Sequence, residues 1–362
     1  MKEYVVIKEI LNKRTSATDI DVSNYIGSLN KGNLLFLDDE DITGKIPVGG
    51  TSEIWKKDVN GHVVARDGVR LAHLSDNPAQ YKKLKSNYNE LVNIPDSIKM
   101  MKGYGVKVAV VDSGCFVKHR SLNPSILSCH NAMTGTADCT DNTLESHGTA
   151  VSGIIAGGQS LDSEIIGIAP MAELMIVKTS DVEDNVQLSD AKAALEWLSN
   201  LKDAWLPDIV NMSFSLAPGT VKENTALELV LEKLTKRGVV LIAAGESQDG
   251  IYSSKIFYPA NTVWVSSVGA VDIPADVTKT LSPQLDYLLA NIDYTSTCEN
   301  QIYRHDLKGV SFGTAVITGI YALFISYRKK FNIKTDLMEM VNTALPEFNP
   351  FEISNNLKIY KR

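Results

Sequence analysis

Val108–Gly114 reads VAVVDSG, an apolar run that stops at an acid, a serine and a glycine. The stretch Val106–Val111 reads as one continuous buried strand, the kind found in a parallel sheet covered on both faces. Working outward, helix-like and strand-like segments alternate. His147–Gly157 is a helix rich in small residues, and Leu174–Lys178 is a strand. Leu188–Leu201 is a helix, with Ser189 and Asp190 as its cap, and Asp208–Met212 is a strand. Val221–Arg237 is a helix that Gly238 ends. Val239–Ala244 and Trp264–Val271 are strands, and Phe312–Lys329 is a long helix. This alternation predicts an α/β fold, a parallel sheet with helices on both faces.

Residues 1–80 follow another pattern. Short strand-like runs such as Tyr4–Ile7 and Leu34–Leu37 are separated by turn signals, and Asn60-Gly61 marks a tight hairpin between Ile54–Lys57 and His62–Ala65. A small β-rich module is expected over 1–80, with the α/β unit and a polar linker, residues 76–90, over 81–362. No internal repeat or low-complexity tract is visible.

The chain has 362 residues, 44% hydrophobic and 22% charged, enough for a sizeable buried core. A formal net charge of −7 argues against nucleic acid or an anionic membrane as partner. The N-terminal MKEYVVIKEILNKR lacks a signal-peptide pattern, and the apolar run around Ala315–Ile325 reads as too short to span a bilayer. A cytoplasmic protein is expected. The four cysteines, Cys115, Cys129, Cys139 and Cys298, show no zinc spacing. Cys129 and Cys139 are near enough to approach each other in a loop, but reduced thiols are the expectation in that compartment. Cys115 reads as a packing residue.

Three polar residues carry the chemistry. Asp112 ends the buried strand, His147 stands in Ser146–Thr149 (SHGT), and Ser311 stands in Gly309–Thr314 (GVSFGT). A serine hydroxyl is a weak nucleophile until a base takes its proton, and the base needs a carboxylate to orient it. Asp112 suits the orienting carboxylate, His147 the general base and Ser311 the nucleophile. A helix start beside Ser311 offers free N–H groups and partial positive charge for a developing oxyanion. The other histidines, including His119, His130 and His305, read as surface or loop residues.

Asp112, His147 and Ser311 in this order, with Gly167–Ala172 (GIAPMA), Ile209–Ser213 (IVNMS) and Tyr258–Ala260 (YPA), resemble the subtilase family of serine peptidases over roughly residues 91–330. The resemblance implies an endopeptidase that works through an acyl-enzyme on Ser311, with protein or peptide substrates. It implies that Ser213, Phe214 and Ser215 match an edge strand that pairs with an extended substrate. Residues 1–80 resemble a bacterial Src-homology-3-like barrel, in Leu11–Arg14, Ile26–Leu29 and Trp55–Gly61, which implies a peptide or protein ligand.

The chain departs from the family at Glu246, which stands in Val240–Glu246 (VLIAAGE) where the family has an oxyanion-hole asparagine. Three readings stay open: a protonated Glu246 that donates, a substitute amide such as Gln248, or an impaired scaffold that binds rather than cleaves. A transferase using the same nucleophile is a further alternative. The serine motif has Val316 and no Pro-His after Thr314. Asp181, Glu183 and Asp184 follow the Leu174–Lys178 strand and, with Glu246, favour substrates with Lys or Arg. No cofactor is expected. Structural calcium is common in the family, and Asp138–Asn142 (DCTDN) is the nearest candidate loop.

Overall fold

The computed structural model describes residues 94–143, 145–158, 165–180, 186–216, 219–245, 256–271, 282 and 284–345, and the backbone of strands within 2–71 and at 359–361. The polar linker at 76–90 lies outside the described residues.

Near the N-terminus lie β1 (Lys2–Val6), β2 (Ile10–Arg14), β3 (Tyr25–Asn30), β4 (Leu34–Thr43), β5 (Ile54–Asp58), β6 (Val63–Ala65) and β7 (Val69–Leu71). They pair antiparallel in the order β3-β2-β6-β5-β4-β1-β7. Trp55 opposes Ala65 and Lys57 opposes Val63, the pairing expected of strands joined through Asn60-Gly61.

The second sheet follows a short helix, α1 (Asp96–Lys99). Its strands are β8 (Lys107–Asp112), β9 (Ile126–Asn131), β10 (Glu173–Lys178), β11 (Ile209–Met212), β12 (Val240–Ala244), β13 (Ser266–Val271) and β14 (Tyr287–Ala290). A hairpin follows, β15 (Tyr294–Thr297) and β16 (Tyr303–Leu307), and β17 (Ile359–Lys361) comes last. The order is β17-β14-β13-β12-β11-β8-β10-β9, parallel throughout except for β17. From β8 the chain passes to the edge strand β9, returns to fill β10 between them, and then runs outward on the other side of β8 from β11 to β14. Strand order therefore reverses at β8, and ligands of open α/β sheets bind at the carboxyl ends of strands at such a point. Asp112 ends β8 there.

The apolar runs need two covered faces, and the helices supply them. Val108 and Val110 point into a core with α2 (His147–Ala156) and α5 (Val310–Phe331). Ala109 and Val111, on the opposite pleat, face α3 (Leu188–Ser199) and α4 (Val221–Lys236). The last helix, α6 (Leu337–Ala344), packs beside α5. Gly153 lets α2 press on β15, since a Cβ there would strike the hydroxyls of Ser296 and Thr297.

Several expectations need correction. Ser189 and Asp190 do not cap α3: Gln187 is the N-cap, without a side-chain bond, because the helix starts at Leu188. Residues 264–265 form a turn before β13. The helix carrying Ser311 spans 22 residues and is apolar enough for a membrane by composition, but 89% of that window is buried inside the fold. It is a core helix, and being enclosed on all sides explains its composition. Cys129 and Cys139 form a disulfide with Cα atoms 5.5 Å apart, against the expected pair of reduced thiols. The turn after β9, closed by the Asn131 N–H on the Thr136 carbonyl at 2.8 Å, folds the chain back and brings the two together.

Candidate active site

Asp112 is 3% exposed. Its Oδ1 accepts the backbone N–H of Ser113 at 2.8 Å and lies 2.8 Å from Nδ1 of His147. An ionised carboxylate only accepts, so Nδ1 of a neutral ring carries the proton and Nε2 is left with its lone pair. Oδ2 is buried with no hydrogen-bond partner among the described residues, so the carboxylate is oriented through Oδ1. His147 opens α2, and a Cβ on Gly148 would collide with the Gly114 carbonyl and stand 3.0 Å from Asp112 Oδ1. Glycine is what allows α2 to begin against the end of β8.

Ser311 is the second residue of α5, and the N-cap is Gly309 at φ +129°, where a side chain would be strained. The Ser311 hydroxyl donates to the Ser213 carbonyl at 2.9 Å, and the Ser213 hydroxyl donates to the Ser311 carbonyl at 2.9 Å. This reciprocal pair fastens the start of α5 to the end of β11. Phe312, the next residue, places its ring centroid 5.5 Å from that of His147. The fold thus brings all three sequence-predicted residues to the carboxyl ends of β8 and β11, with Asp112 and His147 in direct contact and Ser311 engaged with Ser213.

Ser213, Phe214 and Ser215 follow the last residue of β11. They continue beyond β11, which lies between β8 and β12. Ser215 donates to the Ala244 carbonyl at 3.2 Å, tying this segment to the end of β12. Glu246, two residues on, lies outside the described residues, as do Gln248 and Asp181, Glu183 and Asp184.

His119 and Cys115 are buried. Ser121 N–H donates to Nδ1 of His119 at 3.1 Å, so Nε2 carries the proton and donates to the Ile302 carbonyl at 3.2 Å. Burial pushes this imidazole down to about 4, and nearby Arg120 adds to the effect. His119 does stand in a loop, one of the two settings expected, but it is buried there rather than on the surface: its two ring nitrogens are both satisfied internally. Burial, reinforced by the charge of Asp141, pushes the Cys115 thiol far above its usual range, so it is inert packing. Among the described residues no group of three or more His, Cys, Asp or Glu side chains is placed to hold a metal ion.

The profile of the family described as "Subtilase family" matches residues 103–357. The chain belongs to the subtilase family. It is 29% identical over 269 residues to "Major intracellular serine protease" of Bacillus subtilis (strain 168), covering 72% of this chain and 81% of that protein. It is 27% identical over 282 residues to "Intracellular serine protease" of Paenibacillus polymyxa, covering 75% and 83% respectively. Against "Subtilisin NAT" of Bacillus subtilis subsp. natto the identity is 32% over 236 residues, 62% of this chain and 56% of that protein. This subtilase is a serine endopeptidase of the subtilisin type.

Two polar residues that hold the subtilase's serine in place escaped the sequence reading. Asn211 donates from Nδ2 to the Ser213 hydroxyl at 2.9 Å, and Thr318 donates to Asn211 Oδ1 at 2.8 Å. Both side chains are fully buried. The signal was an amide inside the apolar strand Ile209–Met212, where a buried polar group must find a partner.

Proposed function

We propose that Asp112, His147 and Ser311 are the catalytic triad of this endopeptidase, and that it acts on protein or peptide substrates inside the cell, in regulated processing. Ser311 Oγ attacks the substrate carbonyl as His147 Nε2 takes its proton, and Asp112 stabilises the imidazolium. The hydroxyl first turns away from the Ser213 carbonyl about the Cα–Cβ bond. His147 then hands the proton to the leaving amine. Water, activated by the same nitrogen, hydrolyses the Ser311 ester. The N-terminus of α5 supplies positive potential to the oxyanion, and a protonated Glu246 supplies a donor.

The substrate backbone lies along Ser213–Ser215, and acidic residues of the 181–184 loop favour Lys or Arg beside the cleaved bond. The N-terminal sheet is a Src-homology-3-like module with a peptide or protein ligand of its own. The names of the relatives from Bacillus subtilis and Paenibacillus polymyxa support the intracellular setting.

The observation that carries this reading is the 2.8 Å contact between His147 Nδ1 and the buried Asp112. The test is digestion of a peptide library by wild type and Ser311→Ala, with products weighed by mass spectrometry. Two fragments summing to substrate plus water, absent with Ser311→Ala, are expected. Equal cleavage by the variant overturns the triad; joined or cyclised products mark a transferase. No turnover by either protein, with both folded, favours the impaired scaffold that Glu246 suggests.

A further inference from the structure

The helix that carries His147 starts without the usual cap. Its N-cap residue, Ser146, sits in the left-handed region at φ +51° and makes no side-chain cap bond. Its hydroxyl instead accepts the N–H of Glu299 at 3.3 Å. The first-turn N–H groups of α2 would be orphans without other acceptors. They are met by side chains from elsewhere. Gly148 N–H donates to the Ser113 hydroxyl at 2.9 Å, and Thr149 N–H donates to Asp141 Oδ2 at 3.0 Å. The acceptor for Gly148 belongs to the residue directly after Asp112.

Asp141 is 6% exposed and wholly engaged. Oδ2 also accepts the Thr149 hydroxyl at 2.7 Å, and Oδ1 accepts the Thr143 hydroxyl at 2.8 Å and the Ser113 hydroxyl at 3.1 Å. Lys178, 3% exposed at the end of β10, donates from Nζ to the carbonyls of Ser113 and Thr140, each at 2.9 Å. Ser113 is the hub. Its N–H orients Asp112 Oδ1, its hydroxyl joins Asp141 to the first turn of α2, and its carbonyl is held by Lys178.

We propose that Asp141 and Lys178, acting through Ser113, are positioning residues that set the distance between Asp112 and His147. The inference rests on the triad reading above. It gives the 138–143 loop a task other than calcium binding: both Asp141 oxygens are already filled by fixed donors. A charged acceptor is required, because Asp141 faces rigid backbone N–H groups as well as hydroxyls, and charge-assisted bonds hold them more firmly than neutral ones. Asparagine presents one acceptor and one donor, so one of the two sides of the site must open. Asp112 and His147 then drift relative to each other while the substrate cleft and Ser311 stay in place.

The experiment compares wild type, Asp141→Asn, Ser113→Ala, Lys178→Met and Ser311→Ala, using a chromogenic peptide and a fluorophosphonate probe over a range of pH. Asp141→Asn and Ser113→Ala are expected to lower kcat by about 10- to 100-fold, as small misplacements of reacting groups do, with KM changed little. The acid limb of the kcat/KM profile moves to lower pH, because a loosened Asp112 stabilises the imidazolium less. Ser113→Ala removes one hydroxyl, so it tests the clamp even where Asp141→Asn fails to fold. Lys178→Met shifts the same limb in the same direction. A lower melting temperature with kcat and the acid limb unchanged in the folded variants overturns the proposal and leaves these residues merely structural. Ser311→Ala that still reacts with the probe refutes the triad instead, so the two failures are distinguishable.

Discussion

Nδ1 of His147 stands 2.8 Å from Oδ1 of Asp112, and that oxygen also accepts the N–H of Ser113. One acceptor atom therefore fixes both the strand end and the imidazole. Replacing Asp112 by asparagine puts an amide where only an acceptor belongs. An NH₂ facing Nδ1 reverses the tautomer and leaves no base toward Ser311. Asp112→Asn is expected to lower kcat by roughly 10⁴-fold with KM within a few-fold, read from steady-state kinetics on one peptide. A loss under tenfold contradicts the assigned role.

His119 makes the fold sensitive to acid. Its imidazole stays neutral in the folded protein down to about 4, whereas in the unfolded chain it protonates near the ordinary value of 6.5. Between these values the unfolded state binds more protons, so stability falls as pH falls from 6.5 toward 4. Charging puts a proton on Nδ1 and breaks the bond from Ser121, while Nε2 keeps its bond to the Ile302 carbonyl. Chemical denaturation at stepped pH should show this slope in wild type and a shallower one in His119→Gln. Equal slopes would remove His119 as the cause.

The Cys129–Cys139 bond closes a short loop that ends beside Asp141, at a separation of 10 residues. Closing a loop of this size is worth about 2–3 kcal/mol in the chain-entropy model. Cys139→Ser, or reduction of wild type, should lower the melting temperature by several degrees. Cys115 and Cys298 are buried, so a thiol reagent should find no reactive group in the native oxidised protein and four after reduction and unfolding. Rapid native labelling at Cys115 would contradict its burial.

Much of the α/β pattern was legible because buried parallel strands are unbroken apolar runs, as in Val108–Val111 and Leu174–Val177. Asp112, His147 and Ser311 stood out because each lies within two residues of a glycine at an element's end. What the sequence did not expose depends on distant partners. Ser113, Asp141 and Lys178 lie far apart in the chain, and only the parallel pairing of β8 with β10 brings Lys178 beside Ser113. The burial of His119 in its loop was not legible because its partners, Ile302 and Tyr303, are more than a hundred residues downstream.

Glu246 carries a separate expectation. If it donates to the oxyanion in its protonated form, Glu246→Asn supplies a donor at every pH. Turnover should be retained or raised, and the active pH range should widen upward. A large fall in kcat at the wild-type optimum would show that the carboxyl group itself is needed.

The most direct measurement is the site of a phosphonyl adduct. The folded protein is treated with a fluorophosphonate, digested and sequenced by tandem mass spectrometry. A single adduct on Ser311 is expected, formed slowly or not at all in His147→Ala. An adduct on another serine, or equal labelling in His147→Ala, would contradict the triad.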